Sequence, residues 1–264
     1  MATSGVSGFR VVTPGKRGST IWRGASMRAP YGLQIIENCI ACPHREDRIF
    51  CNLPQAALQR LSEITSPASY PKGATLFVEG QTARGVYILC EGRVKLSTCS
   101  TDGKTLIVRI ADSGEVLGIP ATVTGKSYEL TADVLERTQA NFISRAAFLA
   151  FLRDYSDVSL RVSQQLAETY HAAVAELRSI GLSHSAEEKL ARFLLEWCSN
   201  RNNGTEQDRA TLTLTHEEIA QLVGSSRETV TRLLSTFKRK KFLQIHGSVL
   251  ILSDIAALKS LAGV

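Results

Sequence analysis

The hydrophobic and polar positions of residues 215–234 predict two short helices joined by a tight turn. Apolar residues recur at helical spacing in both segments, so each helix has one face that must be buried. The inward positions are Ile219, Leu222 and Val223 in the first helix and Val230, Leu233, Leu234 and Phe237 in the second. Gly224 suits the turn because glycine adopts a positive φ without steric cost.

Serine or threonine followed three positions later by glutamate is typical of a capping box at a helix N-terminus. The chain contains three such pairs: Thr215 with Glu218, Ser225 with Glu228, and Ser185 with Glu188. We therefore expect helices to begin at these three places.

The second helix has a polar face opposite its buried one, formed by Arg227, Glu228, Thr231, Arg232 and Ser235. Arginine can donate two hydrogen bonds to guanine, and glutamate can accept one from cytosine N4. Residues 224–241 hold six Lys/Arg and one acid, which favours contact with phosphates. We expect DNA contacts from Thr215, Ser225, Ser226, Arg227, Glu228, Thr231, Arg232, Ser235, Lys238 and Lys240. The alternative is an ordinary helical hairpin with a solvated charged face.

The residues after this helix predict a wing. Two short β-prone runs, residues 242–245 and 249–252, flank His246 and Gly247, which is the pattern of a β-hairpin. Upstream, the polar run 199–210 predicts a loop and residues 211–214 predict a short strand.

Residues 66–142 predict a compact antiparallel β domain. Short β-prone runs alternate there with glycines, a pattern that is typical of a barrel or a sandwich. Asp102 and Gly103 form a hairpin signal. Apolar residues alternate on both sides of it, at Val94 and Leu96 and at Leu106, Val108 and Ile110.

Residues 156–180 predict a long helix that ends at Gly181, a residue suited to terminate a helix. Its apolar stripe consists of Val162, Leu166, Thr169, Ala173, Leu177 and Ile180. The spacing resembles a coiled-coil seam, which favours pairing with a second copy. The alternative is packing of this helix on its own β domain.

Charge separates the N-terminal segment from the rest of the chain. Residues 1–36 contain five basic residues and no acid, whereas the net charge of the whole chain is +6. This segment is rich in Gly, Ser, Thr and Pro and predicts a disordered basic tail. No apolar run is long enough for a membrane span or a secretory signal, so we expect a cytoplasmic protein without membrane contact. No catalytic constellation, phosphate loop or zinc-hydrolase motif is present, which argues against an enzyme.

Four segments resemble the CRP/FNR family of bacterial transcription regulators: PKGATLFVEGQ (71–81), YILCEGRVKL (87–96), GEVLG (114–118) and GSSRETVTRLL (224–234). The resemblance implies an α+β fold. This fold has an N-terminal antiparallel β-roll similar to a cyclic-nucleotide-binding domain, a long dimerisation helix and a C-terminal winged helix-turn-helix. The implied boundaries are 1–36 for the tail, 37–155 for the β-roll sensor domain with its cysteine segment, 156–182 for the dimerisation helix and 183–264 for the DNA-binding domain.

The resemblance implies a dimeric, sequence-specific DNA-binding transcription regulator gated by a signal at the β-roll or at the N-terminal cysteines. Arg227, Glu228 and Arg232 match the Arg-Glu-x3-Arg signature of the cyclic-AMP receptor branch. The match implies a palindromic site with half-sites similar to TGTGA, and RNA polymerase as a partner. The alternative function is a ligand-binding regulatory subunit that acts through protein contacts.

The resemblance places an effector pocket at Gly114, Glu115, Val116, Leu117, Gly118 and Tyr128. The cyclic-AMP receptor has a glutamate for the ribose and an Arg-Ser pair for the cyclic phosphate. Here Ile119 and Pro120 stand near the glutamate position, and Tyr128 and Glu129 stand near the Arg-Ser pair. A glutamate would repel a phosphate, so we expect no cyclic AMP binding and the sequence leaves the effector unidentified.

Three of the six cysteines, Cys39, Cys42 and Cys51, precede the β domain. Fumarate–nitrate-type regulators place three of the four ligands of a [4Fe–4S] cluster there, and clustered thiolates suit iron–sulfur or zinc. The last spacing is x8 rather than the usual x5, and Asn141 stands where the fourth ligand is expected. Cys90 or Cys99 could replace it if the fold brings one close. A thiol redox switch, a zinc site and plain buried cysteines are the alternatives.

Overall fold

The computed structural model describes residues 39–42, 45, 46, 48, 50–181, 185–199 and 208–263. The basic tail, the three residues after Gly181 and most of the polar run 199–210 lie outside the described residues. Among the helices of the described ranges, none combines the length and apolar character needed to cross a membrane.

The first half of the chain is a two-sheet antiparallel β domain with flanking helices. Its elements are a 3₁₀ helix at Cys39–Ala41, α1 (Gln55–Ile64), β1 (Ser66–Tyr70), β2 (Thr75–Phe77), β3 (Gly85–Glu91), β4 (Val94–Cys99), β5 (Thr105–Ala111), β6 (Val116–Leu117), α2 (Ile119–Thr124), β7 (Thr131–Val134), β8 (Thr138–Ser144) and α3 (Arg145–Asp154). The strands form two four-stranded sheets, ordered β1-β8-β3-β6 and β2-β7-β4-β5. The predicted β-roll and the hairpin at Asp102 and Gly103 are both confirmed.

Side chains along β5 alternate between the core and the surface, as expected. The buried one, however, is not among the alternating apolar residues that the sequence pattern identified. Ile107 is buried, whereas Leu106 and Val108 are 43% and 48% exposed. A register shift between Leu96 and Ser97 pairs Ser97 with Ile107 across the β4–β5 ladder. Ile107 and Ala111 are buried four positions apart on one face of β5, so the alternating Leu106, Val108 and Ile110 form its other face; period-two spacing does not indicate which of the two faces is buried.

The helix α4 (Ser156–Gly181) confirms the long helical pattern. Together with α1 and α3 it covers one face of the β1-β8-β3-β6 sheet, and the apolar residues between them form what we call the helix-side core. Val162 is buried in this core and Leu166 packs against it, so these two residues of the stripe face their own β domain. Thr169 and Ala173 are exposed, and the side chains of Leu177 and Ile180 lie outside the described residues.

The second half of the chain is a winged helix-turn-helix with its own core. Its elements are α5 (Ala186–Ser199), β9 (Arg209–Thr211), α6 (His216–Val223), α7 (Arg227–Arg239), β10 (Leu243–His246), β11 (Val249–Leu252) and α8 (Ile255–Ala262). The hairpin of β10 and β11 around Gly247 confirms the wing. The predicted strand at 211–214 is wrong in position, because β9 occupies Arg209–Thr211 where it pairs with β11.

The winged helix packs directly on the β-roll. Leu135 of the roll is buried within the core of the winged helix, and Ile110 of β5 packs against that core. Arg93 forms a two-bond ion pair with Glu136, and its guanidinium lies 5.4 Å from the centre of a Trp197 ring. Lys95 of β4 reaches Glu218 of α6 at 3.4 Å. These contacts fix where the helix-turn-helix lies relative to the β-roll.

Candidate DNA-binding surface and sensor region

The helix α7 begins one residue later than the sequence pattern predicts. Ser226 is its N-cap, and the Ser226 hydroxyl accepts a hydrogen bond from the Thr229 amide at 3.2 Å. The predicted capping box of Ser225 with Glu228 is therefore wrong. Because two serines are adjacent, the sequence offers two equivalent caps, and only the backbone geometry distinguishes them. Glu228 consequently takes no part in a capping box and lies exposed in the first turn.

The cap assignment can be tested with two adjacent alanine variants. Ser226→Ala should lower the free energy of unfolding by about 1 kcal/mol, because the first turn loses its side-chain acceptor. Ser225→Ala is the matched control and should change it by no more than about 0.5 kcal/mol. Urea unfolding of both variants measures the difference. A larger loss for Ser225→Ala would show that the helix begins at Ser225.

The outward side of α7 presents an exposed polar surface, which we call the recognition face: Arg227, Glu228, Thr231, Arg232 and Ser235. The opposite side holds Val230, Leu234 and Phe237 in the core of the winged helix, with Leu233 half-buried beside them. The hydroxyls of Thr231 and Ser235 donate to the carbonyls of Arg227 and Thr231 within the helix. The charged side chains of the recognition face therefore project from a helix that the core holds in place.

The helix α6 lies against the recognition face through one side-chain bond. His216 Nδ1 lies 2.9 Å from Thr231 Oγ1, which joins the start of α6 to the middle of α7. Thr215 caps α6 in a complete capping box with Glu218, as predicted, so its hydroxyl stands at the edge of the same surface. No feature of the sequence pattern identifies His216 apart from its place in the first turn of α6.

Burial alone would raise the pKa of Glu218, but other contacts outweigh it. Hydrogen bonds from the backbone and hydroxyl of Thr215 and the charge of Lys95 lower the pKa of this carboxyl below its usual value. Glu218 therefore serves two purposes, because it closes the capping box of α6 and also ties that helix to β4.

The basic end of α7 is exposed and leads into the wing. Lys238, Arg239, Lys240 and Lys241 are all exposed, and Lys241 has φ 61°, a left-handed conformation that ends the helix. Lys240 also lies 3.9 Å from Glu187 and 5.5 Å from the centre of the Phe242 ring. Lys238 is thus the more available of the two lysines predicted to contact phosphates.

The predicted effector residues border a small cavity of about 100 Å³ between the β-roll and α4. Val116, Leu117, Gly118 and Tyr128 line it, whereas Gly114 and Glu115 do not. Arg109 is the one cation among the described residues that line the cavity, and it is paired with Glu115. The Tyr128 ring stacks on Phe77 at 4.1 Å, and its hydroxyl donates to the carbonyl of Gly85 at 2.7 Å. The cavity is therefore mostly apolar and partly filled by a tyrosine.

A glutamine of α4 joins this helix to the edge of the cavity. Gln165 Nε2 donates to the Val116 carbonyl at 2.8 Å, and Gln165 Oε1 accepts from the Val116 amide at 3.1 Å. The side-chain amide thus pairs with the short strand β6 as another strand would. No feature of the sequence pattern identifies Gln165, because the contact depends on the tertiary fold.

The structure separates the six cysteines into different environments. Cys198 is buried in the core of the winged helix, and Cys99 is exposed in the β4–β5 hairpin. Cys39 and Cys51 pack against the helix-side core, and the Asn141 amide nitrogen lies 4.0 Å from Cys39 Sγ. Burial raises the pKa of the Cys51 thiol to about 12, and the nearby Cys39 and Cys42 add to the increase while Arg48 opposes it. Among the described residues, no three His, Cys, Asp or Glu side chains are grouped closely enough to hold a metal ion.

Comparison with known proteins agrees with this architecture. Two family models match the chain. One describes the cyclic nucleotide-binding domain and matches residues 67–155, and the other describes the Crp-like helix-turn-helix domain and matches residues 188–261. The chain is 27% identical over 209 residues to a CRP-like cAMP-activated global transcriptional regulator of Mycobacterium tuberculosis, covering 78% of this chain and 92% of that protein. It is 26% identical over 227 residues to the nitrogen fixation regulation protein FixK of Bradyrhizobium diazoefficiens, covering 85% and 93%.

The solved structures show the same fold. The structure of FixK2 from Bradyrhizobium japonicum aligns with a TM-score of 0.67 at 23% identity, covering 75% of this chain and 97% of that one. A CooA mutant from Carboxydothermus hydrogenoformans aligns with a TM-score of 0.65 at 21% identity, covering 80% and 93%. Both family models match, and together they span more than half of the sequence. The chain therefore belongs to the CRP/FNR family of DNA-binding transcription regulators.

Proposed function

We propose that the recognition face reads a specific duplex sequence, with Arg227 and Arg232 donating to guanines and Glu228 accepting from a cytosine. The observation that carries this proposal is the exposure of all five side chains of the recognition face on a helix whose other side is fixed in a core. A helix of this kind enters the major groove, where the three charged side chains meet the donors and acceptors of the bases. Thr215 and Ser226 cap the N-termini of α6 and α7, where amides and hydroxyls can donate to phosphate oxygens.

We also propose that two copies bind together, through α4, to a palindromic site. The second half of α4 supports this pairing, since Thr169, Tyr170 and Ala173 are exposed and Tyr170 is 67% exposed. A twofold dimer presents two recognition helices to half-sites about one helical turn apart. We expect half-sites similar to TGTGA, and contact between the bound dimer and RNA polymerase.

Selection of bound duplexes from a random library tests this function. The full chain should enrich a palindrome whose half-sites contain the guanines and the cytosine that the recognition face can read. Enrichment of unrelated sequences would overturn the residue assignments, and binding of all duplexes alike would overturn specific recognition. Sedimentation of the protein with the selected duplex should show two chains on each site.

The size and charge of the cavity argue against cyclic AMP as its ligand. Its volume of about 100 Å³ is below the 300 Å³ or more that is usual for ligand pockets. Its one cation, Arg109, already pairs with Glu115, and Glu129 lies on the lining with its own negative charge. A buried phosphate needs an available cationic partner, and none of the described lining residues offers one.

Cyclic AMP should therefore show no saturable binding to the full chain. Isothermal calorimetry at ligand concentrations up to about 1 mM should give only heats of dilution. The protein sample used for this titration should also bind the selected duplex, which shows that the chain is folded. A saturable isotherm with one site per chain would contradict the proposal.

The signal route that the contacts favour runs from the cysteine segment to α4. Arg161 of α4 donates to the carbonyl of Asn52, the residue after Cys51, at 3.4 Å. We propose that the cysteine segment is the sensor, and that a change there shifts the balance between packings of α4 and hence the spacing of two recognition helices. Gln165 provides a second link, from the cavity strand β6 to the same helix.

A further inference from the structure

The hydrogen bond between His216 and Thr231, at the edge of the recognition face, has a defined direction. His216 Nδ1 lies 2.9 Å from Thr231 Oγ1. The same Thr231 hydroxyl donates to the Arg227 carbonyl at 2.8 Å. A threonine hydroxyl carries one hydrogen, so towards His216 it can only accept. Nδ1 of His216 is therefore the protonated nitrogen, and the neutral ring keeps its lone pair on Nε2.

The second ring nitrogen of His216 faces away from α7. The two nitrogens of an imidazole lie on opposite sides of the ring, so Nε2 is directed away from the helix that Nδ1 contacts. His216 is exposed and is the first residue of α6, next to the Thr215 cap. Among the described residues, no side chain forms a hydrogen bond with this nitrogen. In a helix-turn-helix the first helix crosses the phosphate backbone, so Nε2 is the ring atom left for a phosphate of the strand that α6 crosses.

A phosphate can bond to Nε2 only if the ring gains a proton. Phosphate oxygens accept hydrogen bonds, and the Nε2 lone pair of the neutral ring also accepts, so the two do not pair. With Nδ1–H held by Thr231, a proton added at Nε2 gives an imidazolium that donates from both nitrogens. Its bond to phosphate is then charge-assisted, which is about twice as strong as a neutral one.

The fixed charges around His216 act in opposite directions. The titratable and charged groups on the elements packed against it are Glu217 and Glu218 of α6, Arg227, Glu228 and Arg232 of α7, and Lys95 of β4, which is paired with Glu218. The carboxylates favour a positive ring, whereas the arginines, the lysine and the positive end of the α6 dipole oppose it. A bound duplex adds phosphate charge to this balance, and that charge favours the protonated ring alone.

We propose that His216 binds a backbone phosphate of the duplex as an imidazolium, so that specific DNA binding takes up a proton and strengthens as the pH falls. The proposal rests on the DNA-reading role proposed above for the recognition face. Because the bound state holds more protons than the free state, the contribution of His216 is complete at low pH and is lost as the pH rises. Histidine changes its charge between about pH 5 and 8, so the affinity for DNA follows pH across the physiological range.

Anisotropy titrations of the full chain with the selected duplex at pH 6, 7 and 8 and constant salt test the proposal. The dissociation constant of the wild type should rise roughly fivefold to tenfold from pH 6 to pH 8. Calorimetry at pH 7 in two buffers of different ionisation enthalpy should show net uptake of protons on binding.

Two substitutions at His216 separate its charge from its hydrogen bond to Thr231. His216→Gln keeps a side-chain donor without a titrating group, so its dissociation constant should change by less than about twofold over the same pH range. His216→Lys carries a permanent charge and should bind at pH 8 about as tightly as the wild type does at pH 6. His171→Gln on α4 and His246→Gln on the wing, both at exposed histidines, are matched controls that should keep the pH dependence of the wild type.

An affinity of the wild type that is constant from pH 6 to pH 8 overturns the proposal. That result is expected if a neutral ring donates from Nε2 while Thr231 gives up the Arg227 carbonyl to donate to Nδ1. Equal pH dependence in the wild type and His216→Gln assigns the proton to another group, and its loss in His246→Gln assigns it to the wing. All three results leave specific DNA binding intact. Failure of the DNA-reading role differs from them, because specific binding is then absent at every pH.

Discussion

Replacing Arg227 by alanine should weaken binding to the selected duplex by about 1–3 kcal/mol, or roughly 5- to 150-fold, and relax the preference at one base pair. Arg227 is exposed in the first turn of α7. The N-terminus of this helix is capped by Ser226, so the cap does not depend on the Arg227 side chain. Its loss removes a two-bond contact with a base edge and leaves the core unchanged. Fluorescence anisotropy with the selected duplex and with single-base variants measures both effects.

The matched control for this prediction is Lys238→Ala, which removes one positive charge from the last turn of the same helix, at a residue predicted to contact phosphate. That variant should weaken binding to all duplexes alike and reduce the slope of the salt dependence by about 1, since it removes a phosphate contact. The pair separates base reading from electrostatic attraction. Equal losses for Arg227→Ala on every sequence would show that Arg227 contacts phosphate and reads no base.

The periodic patterns of the sequence predicted the two helices of the helix-turn-helix and the wing, whereas α8 was not predicted. Helix spacing gave the buried side of α7, and the residues around Gly247 gave the wing, because both depend on local backbone geometry. The predictions were wrong where the sequence offers two equally good positions for a cap or a strand. Ser225 and Ser226 are both good caps, and residues 209–211 and 211–214 are both short enough for a strand. The choice is made by pairing with distant residues, which a local pattern does not contain.

The first half of the chain also has features that sequence patterns alone do not predict. Its cysteine segment was predicted as a possible site from the spacing of Cys39, Cys42 and Cys51. Cys90 is buried in β3 and Cys99 is exposed in the β4–β5 hairpin, a difference that the sequence pattern does not reveal. The contacts of Gln165 with β6 and of Arg161 with Asn52 also join residues far apart in sequence. The contacts between the β domain and α4 therefore depend on the fold and on no single motif.

The second large effect concerns the core that holds the recognition face. Phe237→Ala should lower the free energy of unfolding by about 3–5 kcal/mol, because a fully buried ring is replaced by a cavity. Phe237 is 0% exposed, its ring centre lies 5.9 Å from that of Phe242, and its carbonyl accepts from the Phe242 amide at 2.9 Å. The ring therefore packs the end of α7 against the start of the wing. Urea unfolding followed by tryptophan fluorescence, which reports on Trp197 in the same core, measures the loss.

A graded variant and a surface control make this prediction specific. Phe237→Leu keeps most of the apolar volume and should cost less than about 2 kcal/mol. Leu106→Ala, at a residue 43% exposed on β5, should change the free energy of unfolding by no more than about 1 kcal/mol. In Phe237→Ala, specific DNA binding should fall in proportion to the fraction of folded winged helix. In Phe237→Leu and Leu106→Ala, it should stay near the wild-type value. A Phe237→Ala variant as stable as the wild type would show that α7 is held by contacts other than its buried side.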